Sequence, residues 1–352
     1  MQVTAVGLRS DRMRTPAAES GGCLLRLRDF SKIEPNRHLA GGTLAPHWST
    51  DYCRALVLVF VALVVAATAS AQELIPAAYT PAPVGVNFVG LSLTSNRGDL
   101  AFDPSGPIDE ASADILASSL TIARTLGVLK RAATVTVILP YVVGDLEGLY
   151  LGEPTAVNRS GVGDLVLRFG INLYGAPAMS FPEFAAYKPR TMVGASMIVR
   201  APNGQYDNTR LINIGANRWG FKPEVGVVHV MGKWAIDAYV GAWFFTTNTD
   251  FYGGTTRKQE PILSTQFHLR YLFRRGLWAA LDANYWHGGE ATIDGAGSDD
   301  LQKNSRIGLT VSWQVWKRHN IRFAASRGAF TRIGGDFTSF GLAYGYTWAK
   351  KP

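Results

Sequence analysis

The stretch KQEPILSTQFHLRYLFRRGLWAALDANYWH, residues 258–287, decides how the chain is read. Leu263, Thr265, Phe267, Leu269, Tyr271 and Phe273 recur at every second position, and Ser264, Gln266, His268 and Arg270 stand between them. After Arg274-Arg275-Gly276 the pattern resumes. Leu277, Ala279, Leu281, Ala283 and Tyr285 share one face; Trp278, Asp282, Asn284 and Trp286 share the other. A period of two is the signature of a strand, and so short a connection leaves no room for a crossover helix. The stretch is an antiparallel hairpin with one apolar face and one face that carries ionisable groups at mid-strand.

The same alternation repeats to the C-terminus. Twelve strands are predicted, at 84–93, 113–126, 133–143, 161–173, 191–201, 219–230, 234–247, 261–273, 277–287, 305–315, 321–328 and 337–348. Short turns at 127–132, 231–233, 274–276 and 316–320 alternate with longer, Gly- and Asp-rich loops at 94–112, 144–160, 202–218, 248–260, 288–304 and 330–336. Short turns on one rim and long loops on the other are the pattern of an outer-membrane barrel. The connection at 174–190 falls where a short turn is due and is read as a periplasmic excursion.

A soluble sandwich or lipocalin also alternates, with its apolar face inward. Here Arg168, Asp237, Arg270 and Asp282 sit at mid-strand on the polar face, with Lys222 and Glu224 nearer a strand start. Such groups suit a wet lumen, so the apolar face is assigned to lipid. Ten residues at ~3.4 Å, tilted ~45°, rise about 24 Å, which matches an apolar band of about 25 Å. Arg124 tests this register, because it shares a face with Leu116, Leu120 and Ile122. It lies close to the Gly127 turn, so either it snorkels to the interface or the strand carries a bulge.

The first residues read differently. Residues 1–51 show neither period and are taken as a disordered leader or a start assigned too far upstream. Residues 52–71 hold the apolar run ALVLVFVALVVAA after Arg54 and end in small residues, which describes a signal peptide cleaved near Ala71. The run is shorter than the roughly 20 residues a spanning helix needs. Residues 72–352 are then the mature barrel. Both cysteines, Cys23 and Cys53, precede Gln72, so the barrel has no disulfide, thiol nucleophile or thiolate metal site. The net charge of +8 falls to +5 once the leader is removed, with no clustered basic stripe for nucleic acid.

Candidate chemistry is weighed against plainer readings. Ser160-Gly161-Val162-Gly163-Asp164 lacks the third glycine and the helix of a phosphate loop, and is read as a rim turn. Asp294–Asp300 (DGAGSDD) lacks the ligand spacing of a calcium loop and is read as a solvated external loop. The strand histidines His229, His268 and His287 lie in no His/Ser signature, and Ser264 is too far from His268 for a ready-made dyad. No catalytic residue, metal ligand or cofactor is assigned. Asp164, Arg168, Lys222, Glu224, Asp237, His268, Arg270, Asp282, Asn284 and Arg306 are the candidates for lining a solute path. Their mixed signs equally permit pairing that fills the barrel, and both readings stand at this point.

At the C-terminus, Ser339, Gly341, Tyr344 and Tyr346 match a polar-x-Gly-x-x-aromatic-x-aromatic signal, which makes the barrel-assembly machinery an expected partner. Outer-membrane lipids, lipopolysaccharide and a small-molecule solute complete the expected partners. Several motifs resemble one family. They are Asn217-Arg218-Trp219, Phe221-Lys222-Pro223-Glu224 with Gly226, Gly241-Ala242-Trp243-Phe244-Phe245, Phe251-Tyr252-Gly253-Gly254, and Leu281-Asp282-Ala283-Asn284-Tyr285-Trp286. With Gly161/Gly163/Asp164 and Asn304-Ser305-Arg306, they resemble the outer-membrane family named for the MetA-pathway of phenol degradation, over residues 84–348. The resemblance implies an outer-membrane barrel that admits aromatic or other hydrophobic compounds. The expectation is therefore a passive channel rather than an enzyme. An outer-membrane lipid hydrolase and a closed structural barrel with loop-mediated binding are the alternatives.

Overall fold

The computed structural model describes residues 74–102 and 108–349. The leader, the signal segment and its cleavage site near Ala71 lie outside the described residues. The elements follow in the order β1 (Val86–Ala101), β2 (Ile108–Val128), β3 (Arg131–Tyr150), β4 (Glu153–Val162), β5 (Val166–Tyr174), α1 (Phe181–Ala186), β6 (Thr191–Arg200), β7 (Gly220–Met231) and β8 (Trp234–Phe245). After them come β9 (Asn248–Phe251), β10 (Thr255–Gln259), β11 (Ile262–Arg274), β12 (Leu277–Gly288), β13 (Ala291–Ile293), β14 (Ala296–Gly297), β15 (Gln302–Trp316), β16 (His319–Thr331) and β17 (Gly334–Ala349).

Each long strand pairs antiparallel with its neighbours, and β1 pairs with both β2 and β17, so the sheet closes on itself. Closure leaves no unpaired edge along the wall except that of β4, which pairs with β3 alone; paired edges are what a sheet in hydrocarbon requires. Twelve positions make up the wall, as the alternation predicts. One of them is shared. β3 pairs with β5 through residues 133–138 and with β4 through 141–150, so the strand read as 161–173 is two strands with a break between them. The cause is local. Pro140 has no N–H to give, its carbonyl accepts from the Gly163 N–H at 2.9 Å, and the Leu165 N–H turns to the Asn203 side chain at 2.9 Å.

The faces are as the hairpin implies. Leu281 is 61 % exposed and Phe340 64 %, whereas His268 and Asp237 on the opposite face are fully buried. Across β8, β11 and β12 the register sets Asp237 opposite His268 and His268 opposite Asp282, in one inward row. Leu269 opposes Leu281 on the outward face. Arg124 is exposed beside outward-facing Ile122, and its ladder with β1 and β3 runs through without a bulge. It sits three residues from the Gly127 turn region, where an outward arginine costs little. Trp234 and Tyr271 meet edge to face near the same rim, with centroids 4.7 Å apart, in keeping with an interfacial aromatic belt.

Two loops read from the sequence are strands instead. The loop at 94–112 is mostly the far ends of β1 and β2, and the loop at 144–160 is a continuation of β3 into β4. Leu151 and Gly152, with φ of 52° and 82°, close that ribbon between the paired Tyr150 and Glu153. Two left-handed residues in succession form the hairpin turn whose twist suits paired strands. The loops at 248–260 and 288–304 contribute β9, β10, β13 and β14, a four-stranded sheet outside the wall. The excursion at 174–190 packs on the short-turn rim, where the Ala132 N–H donates to the Ala176 carbonyl and the Ala178 N–H to that of Lys130. Its α1 starts with a capping box between Ser180 and Glu183.

Candidate functional site: the barrel lumen

The inward face is a set of linked charges. Arg270 forks onto Asp237 Oδ1 through Nε at 3.1 Å and Nη2 at 2.8 Å. Lys222 lies 3.0 Å from Glu224, and Arg168 approaches the same carboxylate at 4.0 Å. His268 Nδ1 meets Asp282 Oδ1 at 2.7 Å, while the Thr310 hydroxyl donates to Asp282 Oδ2 at 2.6 Å. Arg306 donates to Ser326, Ser339 and the Phe337 carbonyl. Arg270 and Asp237, like His268 and Asp282, sit on adjacent strands, whereas Lys222 and Glu224 are two residues apart on β7 and Arg168 reaches Glu224 across β6. Ion pairs of this kind hold only where both partners are satisfied, since a lone buried charge is costly.

Through this lumen runs the segment that precedes β1. Leu74 lies against Gly308 of β15, and the Ile75 N–H donates to Gln266 of β11 at 3.0 Å. The Ala77 N–H donates to Asp237 Oδ2 at 2.8 Å and that of Ala78 to the Tyr239 hydroxyl at 3.1 Å. Tyr79 is 2 % exposed, and its hydroxyl lies 3.0 Å from Glu224 Oε1 and 3.1 Å from Ser196 Oγ. Two glycines make room for its ring: a Cβ on Gly194 or Gly226 would lie 2.2 Å from a Tyr79 carbon. The segment leaves the lumen where the Val84 N–H reaches the Met179 carbonyl of the excursion. Nothing in the alternation announced it. The available signal was Pro76, Pro81 and Pro83, which withhold the donors a wall strand needs.

From the long-loop side, residues 202–218 fold inward. Asp164 anchors them by accepting from the N–H groups of Gly204 and Ala216, both at 2.9 Å. Between this loop and Ile75 lies a cavity of about 480 Å³, in the size range of small-molecule sites. Ile138, Val166, Leu211, Ile214 and Phe251 line it together with Arg200, Arg218 and Arg257.

All ten predicted lumen residues therefore lie inside, but not together. Asp237, His268, Arg270 and Asp282 form one cluster, and Lys222, Glu224 and Arg168 another. Asn284 is buried, and Arg306 stands apart beside β16 and β17. Only Asp164 borders the cavity. Arg200, Arg218 and Arg257 were missed as lining residues; the Asn-Arg-Trp motif at 217–219 was the one visible hint. His268 Nδ1 is committed to Asp282, and Nε2 has no hydrogen-bond partner among the described residues, so no hydroxyl is held for activation. His229 and His287 are exposed. The run at 160–164 is the end of β4 and the start of the break before β5. In the 294–300 loop, Asp294 accepts from the Thr256 N–H, and Asp300 accepts from the Ala291 N–H and pairs with Arg257.

The sequence profile of the family described as "Putative MetA-pathway of phenol degradation" matches residues 109–340. The chain belongs to this family. Among solved structures, the fold is similar to the COG4313 outer membrane channel from Pseudomonas putida F1, with a TM-score of 0.67 and 22 % identity, over 78 % of this chain and 100 % of that one. The β domain of the Bordetella autotransporter BrkA is more distant, with a TM-score of 0.44 at 12 % identity over 75 % of this chain and 100 % of that one. The transport unit of AIDA-I from Escherichia coli has a TM-score of 0.46 at 9 % identity over 85 % and 98 %. A search of curated proteins finds no match to the sequence. The family member described here is thus a twelve-position barrel of the outer-membrane type.

Proposed function

We propose that the protein is a passive outer-membrane channel for small solutes with an apolar or aromatic body. The observation that carries this reading is the cavity of about 480 Å³ inside the wall, apolar over much of its lining and bounded on one side by Ile75. A closed structural barrel would have no use for such a space in its interior. A lipid hydrolase would present its catalytic group to lipid; His268 faces inward, and the outward His229 meets a threonine, Thr191, rather than a serine. The route past the cavity is occupied by the segment from Leu74 to Pro83, so passage requires that segment to shift. Its hold on the wall is three backbone N–H groups, the Arg168 bond to the Ala78 carbonyl, the Tyr79 hydroxyl and the packing of the Tyr79 ring against Met192, Val228 and Tyr239. That is still less than the pairing of one wall strand.

Proteoliposomes containing the mature chain supply the test. Benzyl alcohol, small, neutral and aromatic, is expected to enter them faster than it enters empty vesicles. Equal rates, together with no single-channel conductance, would leave the closed barrel as the better reading.

A further inference from the structure

Three guanidinium groups converge on the lumen cavity, which is more than passage of a neutral solute requires. Each lies over an aromatic ring: Arg200 5.0 Å from the Trp243 centroid, Arg218 4.4 Å from that of Phe245, and Arg257 5.4 Å from that of Phe251. Arg257 reaches Asp300 at 3.4 Å. Arg218 bonds Gln259 through Nη2, but its Nη1 is buried with no hydrogen-bond partner among the described residues. The carboxylate of Asp164, on the same lining, is already taken by two backbone N–H groups.

Like charges this close oppose one another. Burial and, after it, the neighbouring Arg257 and Arg200 push the Arg218 guanidinium down to about 9. A buried donor without an acceptor adds its own cost. An anion entering the cavity would relieve both at once.

We propose that the cavity is a binding site for amphipathic carboxylates, with the carboxylate on Arg218, Arg200 and Arg257 flanking it, and the apolar body against Ile138, Val166 and Ile214. A carboxylate is planar and offers two acceptor oxygens, which a guanidinium meets as a fork; a lysine could not do so. This names a substrate class for the site and rests on the lumen being a solute path.

Titration of the reconstituted full-length mature chain with benzoate and with benzamide, equal in size but neutral, tests the proposal. Benzoate is expected to bind about tenfold more tightly or better, the scale of a charge-assisted contact. Arg218→Gln is expected to abolish the preference, Arg218→Lys to keep part of it, and the surface variant Arg97→Gln to leave it unchanged. Should Arg218→Gln fail to assemble, Arg200→Gln carries the same reading, with a partial loss of preference expected. Equal affinities in the wild type, or a preference that survives in the variants, would overturn the proposal. Entry of benzyl alcohol separates it from the channel reading. Neutral flux without benzoate preference sinks the carboxylate site and leaves the channel; benzoate preference without flux of either solute supports the site and sinks the channel.

Discussion

Asp237 holds three groups at once: the Arg270 fork, the Ala77 N–H of the lumen segment and the Tyr239 hydroxyl. It is fully buried, and Arg270 is 12 % exposed. Replacing it with alanine removes the only carboxylate on Arg270 among the described residues and frees the segment. Breaking a buried pair from one side costs about 3–5 kcal/mol. Asp237→Ala is therefore expected to lower stability by about that much in urea unfolding of the folded barrel, while Asp237→Asn, which keeps an acceptor, loses less. A loss near zero would mean that lumen water replaces the carboxylate. Asp237 was legible in the sequence as an inward charge. Its partners were not, because they depend on which residue each neighbouring strand sets beside it, and one partner belongs to no strand.

At the scale of elements, alternation located all twelve wall positions, though it missed β4 as a separate strand, since lipid outside and a polar lumen inside impose opposite demands on successive side chains. It failed where those demands stop. Gly144, Gly148 and Pro154 look like loop chemistry, yet the β3–β4 ribbon continues through them, because beyond the membrane only backbone pairing is needed and small residues satisfy it. The excursion at 174–190 was legible as an interruption but not as a helix, for α1 is only 6 residues long. Its capping carboxylate makes a testable element. Hydrogen bonds from the Ser180 hydroxyl and backbone N–H hold Glu183 below the usual glutamate range. A depressed carboxylate contributes stability that is present above its unfolded value and is lost as pH falls through the folded one. Amide exchange across 181–187 is expected to quicken as pH drops below the ordinary glutamate range, after correction for the intrinsic rate. Glu183→Gln should remove that acid-dependent step; a step that persists in the variant would assign it to another group.

For the molecule as a whole, paired charges and open space lie side by side in the lumen. The charges do pair, and Asp282 finds His268 directly opposite it. A cavity nevertheless remains where the loop at 202–218 and the lumen segment stop short of one another. That space was beyond the sequence because it is bounded by two stretches with no periodicity, Leu74–Pro83 and the loop. The inside-out assignment of the 258–287 hairpin was within reach because its charges sit at mid-strand, where lipid would not tolerate them. If solutes pass through this lumen, the segment must move to let them by.

Linking the segment to the wall tests that claim most directly. Both cysteines precede Gln72, so in a chain that starts at Gln72 introduced thiols are the only ones present. With Ala78→Cys and Tyr239→Cys joined by a short, reducible bis-maleimide, entry of benzyl alcohol into proteoliposomes is expected to fall to the rate of empty vesicles and to recover on reduction. Entry that is unchanged by the link would contradict passage through the lumen.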